Sequence, residues 1–496
     1  MINRLGLIRW IRYLFFYVMI FFTVLGWINN NYTLIFMGII CLWTNNIIYC
    51  FENKTERSVL FLFHITFFIF LLAKPLISII SMRKTWYIVE KSGEGIDFAL
   101  ISIFTSLLIM FLGICIYKNR KKKGLKESRN IRYGKNSADE YFFREKWIEI
   151  LQNVSLIIFI TTLFFGAMVS YEKLMFMQGR SYLEYYTSYQ SSLPAMVYRI
   201  AGMSKYALCT FLATFPSKKK SFTPLCLYVL SALPDLYIGL RNPFVLNCMF
   251  VLVYYIIRES LNDKEKWLGK FEKICLIVSI PLLIVLMGVY SDIRIGRTVD
   301  IDNIGKAFLK FFNEQGVSFD VLLIGFRAIP KLPNRIIRNY TFGGIIDYFI
   351  YGTIGQNLFG TVALPDGNNL INALQSNSFA HNMSYVALGE EYLAGRGWGT
   401  SYLLEVYTDF GYSGIIIFSI LLGIFMVNIN KLMKKNVFVR TITLLVLTDI
   451  FFMPRGEATA SIEFFFYVKF WLFIIFTYFV TSIFLKQYYR RKKKNV

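Results

Sequence analysis

Residues 97–117 read DFALISIFTSLLIMFLGICIY, and the chain then turns abruptly basic with Lys118, Arg120 and the run Lys121-Lys122-Lys123. Beyond Asp97 the stretch carries no charge, and about 20 mostly apolar residues suffice to carry a helix across a bilayer. The basic run that follows marks a cytoplasmic end, because lysine and arginine are in excess on that side. Outward from this stretch the pattern recurs. Twelve runs predict membrane helices, at 13–28, 32–51, 59–81, 97–117, 148–171, 194–215, 224–239, 243–257, 274–291, 413–430, 437–453 and 462–485. The seventh and eighth are short and spaced as a tight helical hairpin.

Composition agrees. Of 496 residues, 56% are hydrophobic and 17% charged, with a mean hydropathy of +0.49. A soluble domain is about 45–50% apolar even with glycine counted, and about 25% charged. Length alone would allow two or three soluble domains, but too few polar residues exist to coat them. The fold class expected is an all-α polytopic integral membrane protein of about 12 transmembrane helices.

With the N-terminus inside, the cytoplasmic segments hold 34 Lys and Arg against 7 in the short outer loops. An even number of spans then leaves both termini in the cytoplasm. The net charge of +23 follows from basic runs beside spans, which anionic lipid attracts; no nucleic-acid-binding fold accompanies them. All seven cysteines fall in or at the edges of spans, so neither a disulfide framework nor a Cys-based zinc site follows. The first apolar stretch lacks a cleavage site and reads as a retained helix. There is no Walker A sequence, dinucleotide fingerprint or internal repeat, and the expectation is no cofactor and no metal.

The organisation expected is spans one to nine over 1–291, a long extracytoplasmic segment over 292–412, and spans ten to twelve with a basic tail over 413–496. The middle segment holds 9 basic and 11 acidic residues and is dense in Gly and Asn. A connection of that length is functional or disordered. The apolar runs Phe319–Ile329 and Ile345–Phe359 argue for short helices lying on the bundle or dipping into its outer face, and the segment is the expected catalytic region.

Ionisable residues within spans are costly and point to function: Lys74, Arg199, Lys205, Asp235 and Lys469. Arg199 and Lys205 either serve a site or pair with a carboxylate such as Asp235. His64 in the third span reads as a satisfied core histidine. Outside the spans, Arg241, Arg294, Arg297, Arg327 and Arg455 lie on the outer side. His381 is the only histidine outside the membrane, either a loop hydrogen-bonding group or a catalytic one. Glu405 and Asp409 fall four apart on one helical face, a like-charge pair that costs stability unless partnered, with Arg396 as one structural partner. Several arginines at the outer face suit glycosyl transfer from lipid-linked diphosphate donors. Guanidinium groups stabilise a departing diphosphate, and a base must take a proton from the incoming hydroxyl.

Four motifs carry a family resemblance. Asn313-Glu314-Gln315-Gly316-Val317-Ser318 resembles the QGxS segment of bacterial O-antigen and capsule polymerases of the Wzy type. Residues Gly397 to Gly414 are similar to that family's GxGxSxxxExYxxFGxxG pattern at the start of a late span. Gly239-Leu240-Arg241-Asn242 resembles the G-x-R turn of the wider polymerase and ligase superfamily, and Arg294 with Gly305 matches an RX10G pattern. The ligases place a His-Asn pair shortly before the Gly-rich span, whereas His381-Asn382 lies about thirty residues before Gly411.

The resemblance implies a glycosyltransferase in the bacterial cytoplasmic membrane, GT-C-like and metal-independent, that joins undecaprenyl-diphosphate-linked oligosaccharide repeats at the outer face. The implied products are O-antigen, capsule or exopolysaccharide, and the implied partners are the lipid bilayer and the flippase and chain-length regulator of the same pathway. Arg241, Arg294 and Arg297 are expected to clamp diphosphates, with Gln315, Arg327, Arg199, Asp409 and Arg455 as further substrate contacts. Glu405 or His381 is expected to accept the hydroxyl proton, and Gly411 and Gly414 to allow close backbone approach. An O-antigen ligase and a lipid-linked-oligosaccharide flippase remain as alternatives.

Overall fold

The computed structural model describes residues 4–81, 93–127, 138–261, 265–295 and 304–494. The chain opens with a helical hairpin, α1 (Arg4–Ile28) and α2 (Tyr32–Phe51). Then α3 (Lys54–Phe67) runs through a π-helical turn at Phe68–Leu72 into α4 (Ala73–Ile80). Pro75 explains that turn: it has no N–H for the carbonyl of Leu71 and its ring crowds that carbonyl, so the helix widens by one residue just before it. Two long helices follow, α5 (Glu94–Glu127) and α6 (Ala138–Phe176), then three short ones, α7 (Tyr182–Ser188), α8 (Ala195–Ala201) and α9 (Ser204–Ala213).

The hairpin expected over 224–257 is present. It comprises α10 (Lys218–Leu230) with α11 (Leu233–Ile238), a turn at Gly239 with φ +108°, and α12 (Arg241–Ser260). Next comes α13 (Lys270–Ile295). Seven shorter helices separate it from the last three long ones: α14 (Ile304–Gln315), α15 (Val317–Ala328), α16 (Gly343–Tyr351), α17 (Thr353–Phe359), α18 (Leu370–Gln375), α19 (Phe379–Leu388) and α20 (Glu390–Leu393). The chain closes with α21 (Tyr402–Leu432), α22 (Val437–Asp449), a 3-10 turn at Ile450–Arg455, and α23 (Val468–Lys494).

Among the described residues, eleven helices are long and apolar enough to cross a membrane, and no strand is present. The remaining expected span, 194–215, is broken at Gly202-Met203 into α8 and α9. Its second half is buried from Tyr206 to Ala213 and packs between α6 and α22. Gly202 is the break point, since glycine weakens a helix through its backbone freedom.

The core forms where α5 lies along α21. Small residues let the two backbones approach: Gly113 faces Ile420, Gly423 faces Met110, and a buried hydroxyl chain runs Ser419, Ser106, Tyr402 with spacings of 3.0 and 2.7 Å. Close small-residue contacts and interhelical hydrogen bonds are how helices associate where lipid offers no hydrophobic drive. Against this pair packs α15, buried over most of its length, with Phe326 stacked on Phe98 at 4.7 Å. The apolar run at 319–329 is therefore a helix inserted among the spans. Its first turn is tied to the π-turn region by an ion pair from Lys74 to Asp320.

Gly411 bends α21. Its φ of +61° and ψ of −158° lie in a region essentially reserved for glycine, and the bend separates Tyr402–Phe410 from the long membrane part. The expectation that Gly411 admits a close backbone neighbour is not met, because no atom lies within 4 Å of where its Cβ would stand. Its requirement is conformational. Gly414 does need its missing side chain, since a Cβ there would come within 2.5 Å of Phe410 and 2.9 Å of Val406. Gly411→Ala is expected to cost about 1–3 kcal/mol of strain and to lower the melting temperature in detergent; an unchanged melting curve would show that the bend is not obligatory.

Candidate active site

The site forms at the end of the bundle where α21 and α23 begin and α22 ends. Pro454 lies within the 3-10 turn that follows α22, and beyond Arg455 the chain runs on through Gly456 and Glu457 to the buried Ala458 and Thr459. Glu405, fully buried in the first turn of α21, receives this loop: its Oε2 accepts the Ala458 N–H at 2.7 Å and its Oε1 accepts the Thr400 hydroxyl at 2.9 Å. One turn on, a single oxygen of Asp409 accepts the N–H groups of Tyr340 and Thr341 at 2.8 and 2.6 Å and the Thr341 hydroxyl at 2.7 Å. Thr459 donates to the Thr341 carbonyl at 2.7 Å, closing the ring. Glu405 and Asp409 thus clamp the 340–341 and 458–459 segments to α21. The pairing with Arg396 does not form, because Arg396 bonds Glu391 at 2.9 Å.

Glu457, beside Glu405, is left over. It makes no hydrogen bond or ion pair with any described residue, and burial together with the charges of Glu463 and Asp347 pushes its carboxyl well above the usual carboxylate range. Glu463 accepts the Tyr467 hydroxyl at 2.9 Å, while its Oε1 is buried without a partner. That oxygen stands 2.1 Å from where a Cβ at Gly344 would be, so a side chain there would displace the Glu463 carboxylate. Asp347 accepts the backbone and side-chain N–H groups of Asn377 at 2.7 and 2.8 Å. Burial raises both Glu463 and Asp347.

The cations at this end of the bundle fall in two groups. In one, Arg241 bonds Glu314 at 3.2 Å and the Met287 carbonyl at 3.3 Å, and Arg455 bonds the carbonyls of Glu314 and Gln315 at 3.3 and 3.2 Å and the Gln315 side chain at 3.1 Å. Three expected substrate contacts, Arg241, Gln315 and Arg455, are therefore brought together. In the other, Lys205 pairs with Asp449 at 3.2 Å, and Lys469 lies against Gly202 at the break between α8 and α9, its ammonium 5.1 Å from the Tyr467 ring centroid. Tyr467 links this group to Glu463. Arg199, three residues before the break, is exposed and bonds no described residue. Asp235 pairs with Lys173 at 3.6 Å and with neither Arg199 nor Lys205.

The other expected residues lie elsewhere. Arg327 ends α15, ten residues or about 15 Å of helix rise from Val317, and faces Gly95. Arg294 falls in the last turn of α13, its side chain outside the described residues, as Arg297 is altogether. His381 is half-buried on α19. Its Nδ1 lies 2.8 Å from the Tyr392 hydroxyl, burial lowers its pKa, and no hydrogen bond joins it to the carboxylates. Its neighbour Asn382 is fully buried and holds the surrounding chain. Its oxygen accepts from Arg335 and Tyr340 at 3.1 and 2.9 Å, and its amide donates to the carbonyls of Asn372, Ala373 and Ser376. His64 is buried too, with Nδ1 unpartnered, so the core reading holds for its burial and not for its hydrogen bonding. The sequence reading missed Glu457 and Glu463. The signal available was an acidic residue three positions past Pro454, at the helix end where Arg455 had already been noted.

A helical bundle of eleven membrane-length helices among the described residues, with cations and carboxylates gathered at one end, defines an all-α polytopic membrane protein. The family model described as O-antigen polysaccharide polymerase Wzy matches residues 11–488, and the chain belongs to that family. No curated protein and no solved structure matches it. The protein is a polysaccharide polymerase, acting by a glycosyltransferase-like reaction on lipid-linked oligosaccharide repeat units. Of the three readings open from the sequence, family membership selects this one over ligase and flippase.

If Glu405 is a clamp, Glu405→Gln loses one of its two buried hydrogen bonds and turns an amide donor toward a donor. The expected cost is about 1–3 kcal/mol, seen as a lower melting temperature. Asn382→Ala is expected to destabilise at least as much, and an unchanged melt for either variant would remove it from the scaffold.

Proposed function

We propose that the chain extends a polysaccharide at the extracytoplasmic face of the bacterial cytoplasmic membrane, transferring the growing glycan from undecaprenyl diphosphate to a newly arrived lipid-linked repeat. The excess of lysine and arginine in the loops at the opposite end of the bundle supports this orientation, with both termini in the cytoplasm. The acceptor hydroxyl attacks the anomeric carbon of the growing chain. The bond from that carbon to the diphosphate oxygen breaks, undecaprenyl diphosphate leaves with the electron pair, and the hydroxyl proton passes to Glu457.

The observation that carries the reading is Glu457, a carboxylate that makes no hydrogen bond or ion pair with any described residue and lies two residues past Arg455 in the loop held by Glu405. Arg241 and Arg455, oriented by Glu314 and Gln315, bind the departing diphosphate. Guanidinium suits this because its planar donors match phosphate oxygens and keep their charge. Lys205, Lys469 and Arg199 receive the diphosphate of the acceptor lipid, and Arg294 and Arg297 extend the cationic surface. Protein cations thus supply the neutralising charge in a metal-independent, GT-C-like reaction. Glu405 and Asp409 hold the frame, and His381 belongs to the lobe that covers it. The flippase that delivers repeats and a chain-length regulator are the partners this activity requires.

A general base contributes roughly 10²–10⁴-fold, so Glu457→Gln is expected to abolish the polysaccharide ladder, leaving single repeats on the surface at wild-type protein abundance. A wild-type ladder would overturn the assignment. A base works ionised, so kcat/KM should fall as pH drops through the raised pKa of Glu457. The acid limb should therefore lie above the ordinary glutamate value of about 4, and a limb at the ordinary value would place the base elsewhere.

A further inference from the structure

At the end of the bundle away from the active site, α13 stands off from its neighbours. It packs chiefly on α14, and Phe271, Ile274, Ile277 and Val278 are 60–74% exposed. Between α13 and the α10–α12 hairpin lies a groove of about 960 Å³, near the upper end of the roughly 300–1,000 Å³ typical of small-molecule sites. Its walls are apolar, with Phe222, Val251, Leu252 and Leu276 along its length and Cys248 and Cys275 among the lining residues. Its mouth carries Lys218, Lys219 and Lys266 with Glu265 and Glu272.

The segment that carries Lys266 is anchored behind the groove wall. Trp267, its neighbour, is fully buried, stacks edge-on to Tyr254 and to the lining residue Tyr255 at 5.5 and 5.2 Å, and lies under the Arg258 guanidinium at 4.4 Å. Glu259 accepts the N–H groups of Trp267 and Leu268 at 2.8 and 3.0 Å. The two rim carboxylates are consumed internally. Glu272 takes the Lys218 ammonium at 2.5 Å and the Gly269 N–H at 2.8 Å, and Glu265 takes the Lys218 N–H at 2.6 Å. Lys219 and Lys266 are exposed and form no ion pair with any described residue. The result is an apolar slot beside the exposed face of α13, with two ammonium groups at its mouth that pair with no described carboxylate.

We propose that this groove binds an anionic membrane phospholipid, its acyl chains between α13 and the α10–α12 hairpin and its phosphate at Lys219 and Lys266. A neutral lipid would fill the slot but leave both ammonium groups uncompensated. The anionic headgroup matches apolar walls and charge together, and anionic lipid is the natural counterpart of lysines beside a membrane helix. The occupant wedges α13, whose far end leads through residues 296–303 to α14 and the Glu314-Gln315 segment of the active site.

Cys275 is exposed in the groove and serves as the reporter. The full chain is reconstituted in nanodiscs of phosphatidylcholine alone or with phosphatidylglycerol, and alkylation of Cys275 by an apolar maleimide is followed by peptide mass spectrometry. Phosphatidylglycerol is expected to slow alkylation several-fold. Lys219→Gln with Lys266→Gln should abolish that protection, lowering phosphatidylglycerol affinity by roughly tenfold or more. Lys434→Gln with Lys435→Gln, exposed at the same end but outside the groove, should retain it. Equal rates in both lipids would overturn the proposal, as would protection that survives loss of Lys219 and Lys266, which would indicate bulk surface charge. Wild-type melting of the double variant separates lost binding from lost fold, and the readout is independent of polymerase activity.

Discussion

The buried carboxylate of Glu405 is the contact on which the site depends. Spans held by apolar packing and small-residue contacts can be long and regular, but the segments that cap them must satisfy their backbone groups without water. Glu405 does this by binding the Ala458 N–H and the Thr400 hydroxyl from the first turn of α21. That bond pulls in the loop after α22 and fixes the residues on either side of it. Arg455 bonds Gln315, and Glu457 makes no hydrogen bond with any described residue. Asp409 repeats the device one turn later on the 340–341 backbone. Gly411 then bends α21 so that this clamped turn is set apart from the membrane part of the helix.

Two adjacent acidic side chains illustrate how environment divides labour. Glu405 has both oxygens occupied by donors and is spent on structure. Glu457 has no described hydrogen-bond partner and is raised by burial and by the charges of Glu463 and Asp347, which under the proposed function leaves both its oxygens for the hydroxyl proton. Perturbed carboxylates with unspent hydrogen-bonding capacity are what a proton-transfer site requires.

The membrane helices were legible in the sequence because each is a local, 20-residue property of composition. Even the broken span at 194–215 registered as apolar, although its division at Gly202 did not. Arg241, Gln315 and Arg455 could each be singled out by a motif or by their side of the membrane. Their convergence could not, because the bonds that join them span 73 and 140 residues. For the same reason the sequence leaves Glu405 and His381 as alternatives for the base: the spacing of Glu405 from Asp409 is visible, but its partner Ala458 lies 53 residues away. Glu457 sits in a short loop without a motif of its own, and only the fold sets it beside Glu405.

The most direct test of this account is a cryo-electron-microscopy structure of the protein with a phosphonate analogue of the lipid-linked repeat and an acceptor repeat. The account predicts the phosphonate-bearing diphosphate mimic at Arg241 and Arg455 and the acceptor hydroxyl within hydrogen-bonding distance of Glu457. An acceptor hydroxyl resting instead on His381 or Glu405, with Glu457 turned away, would contradict it.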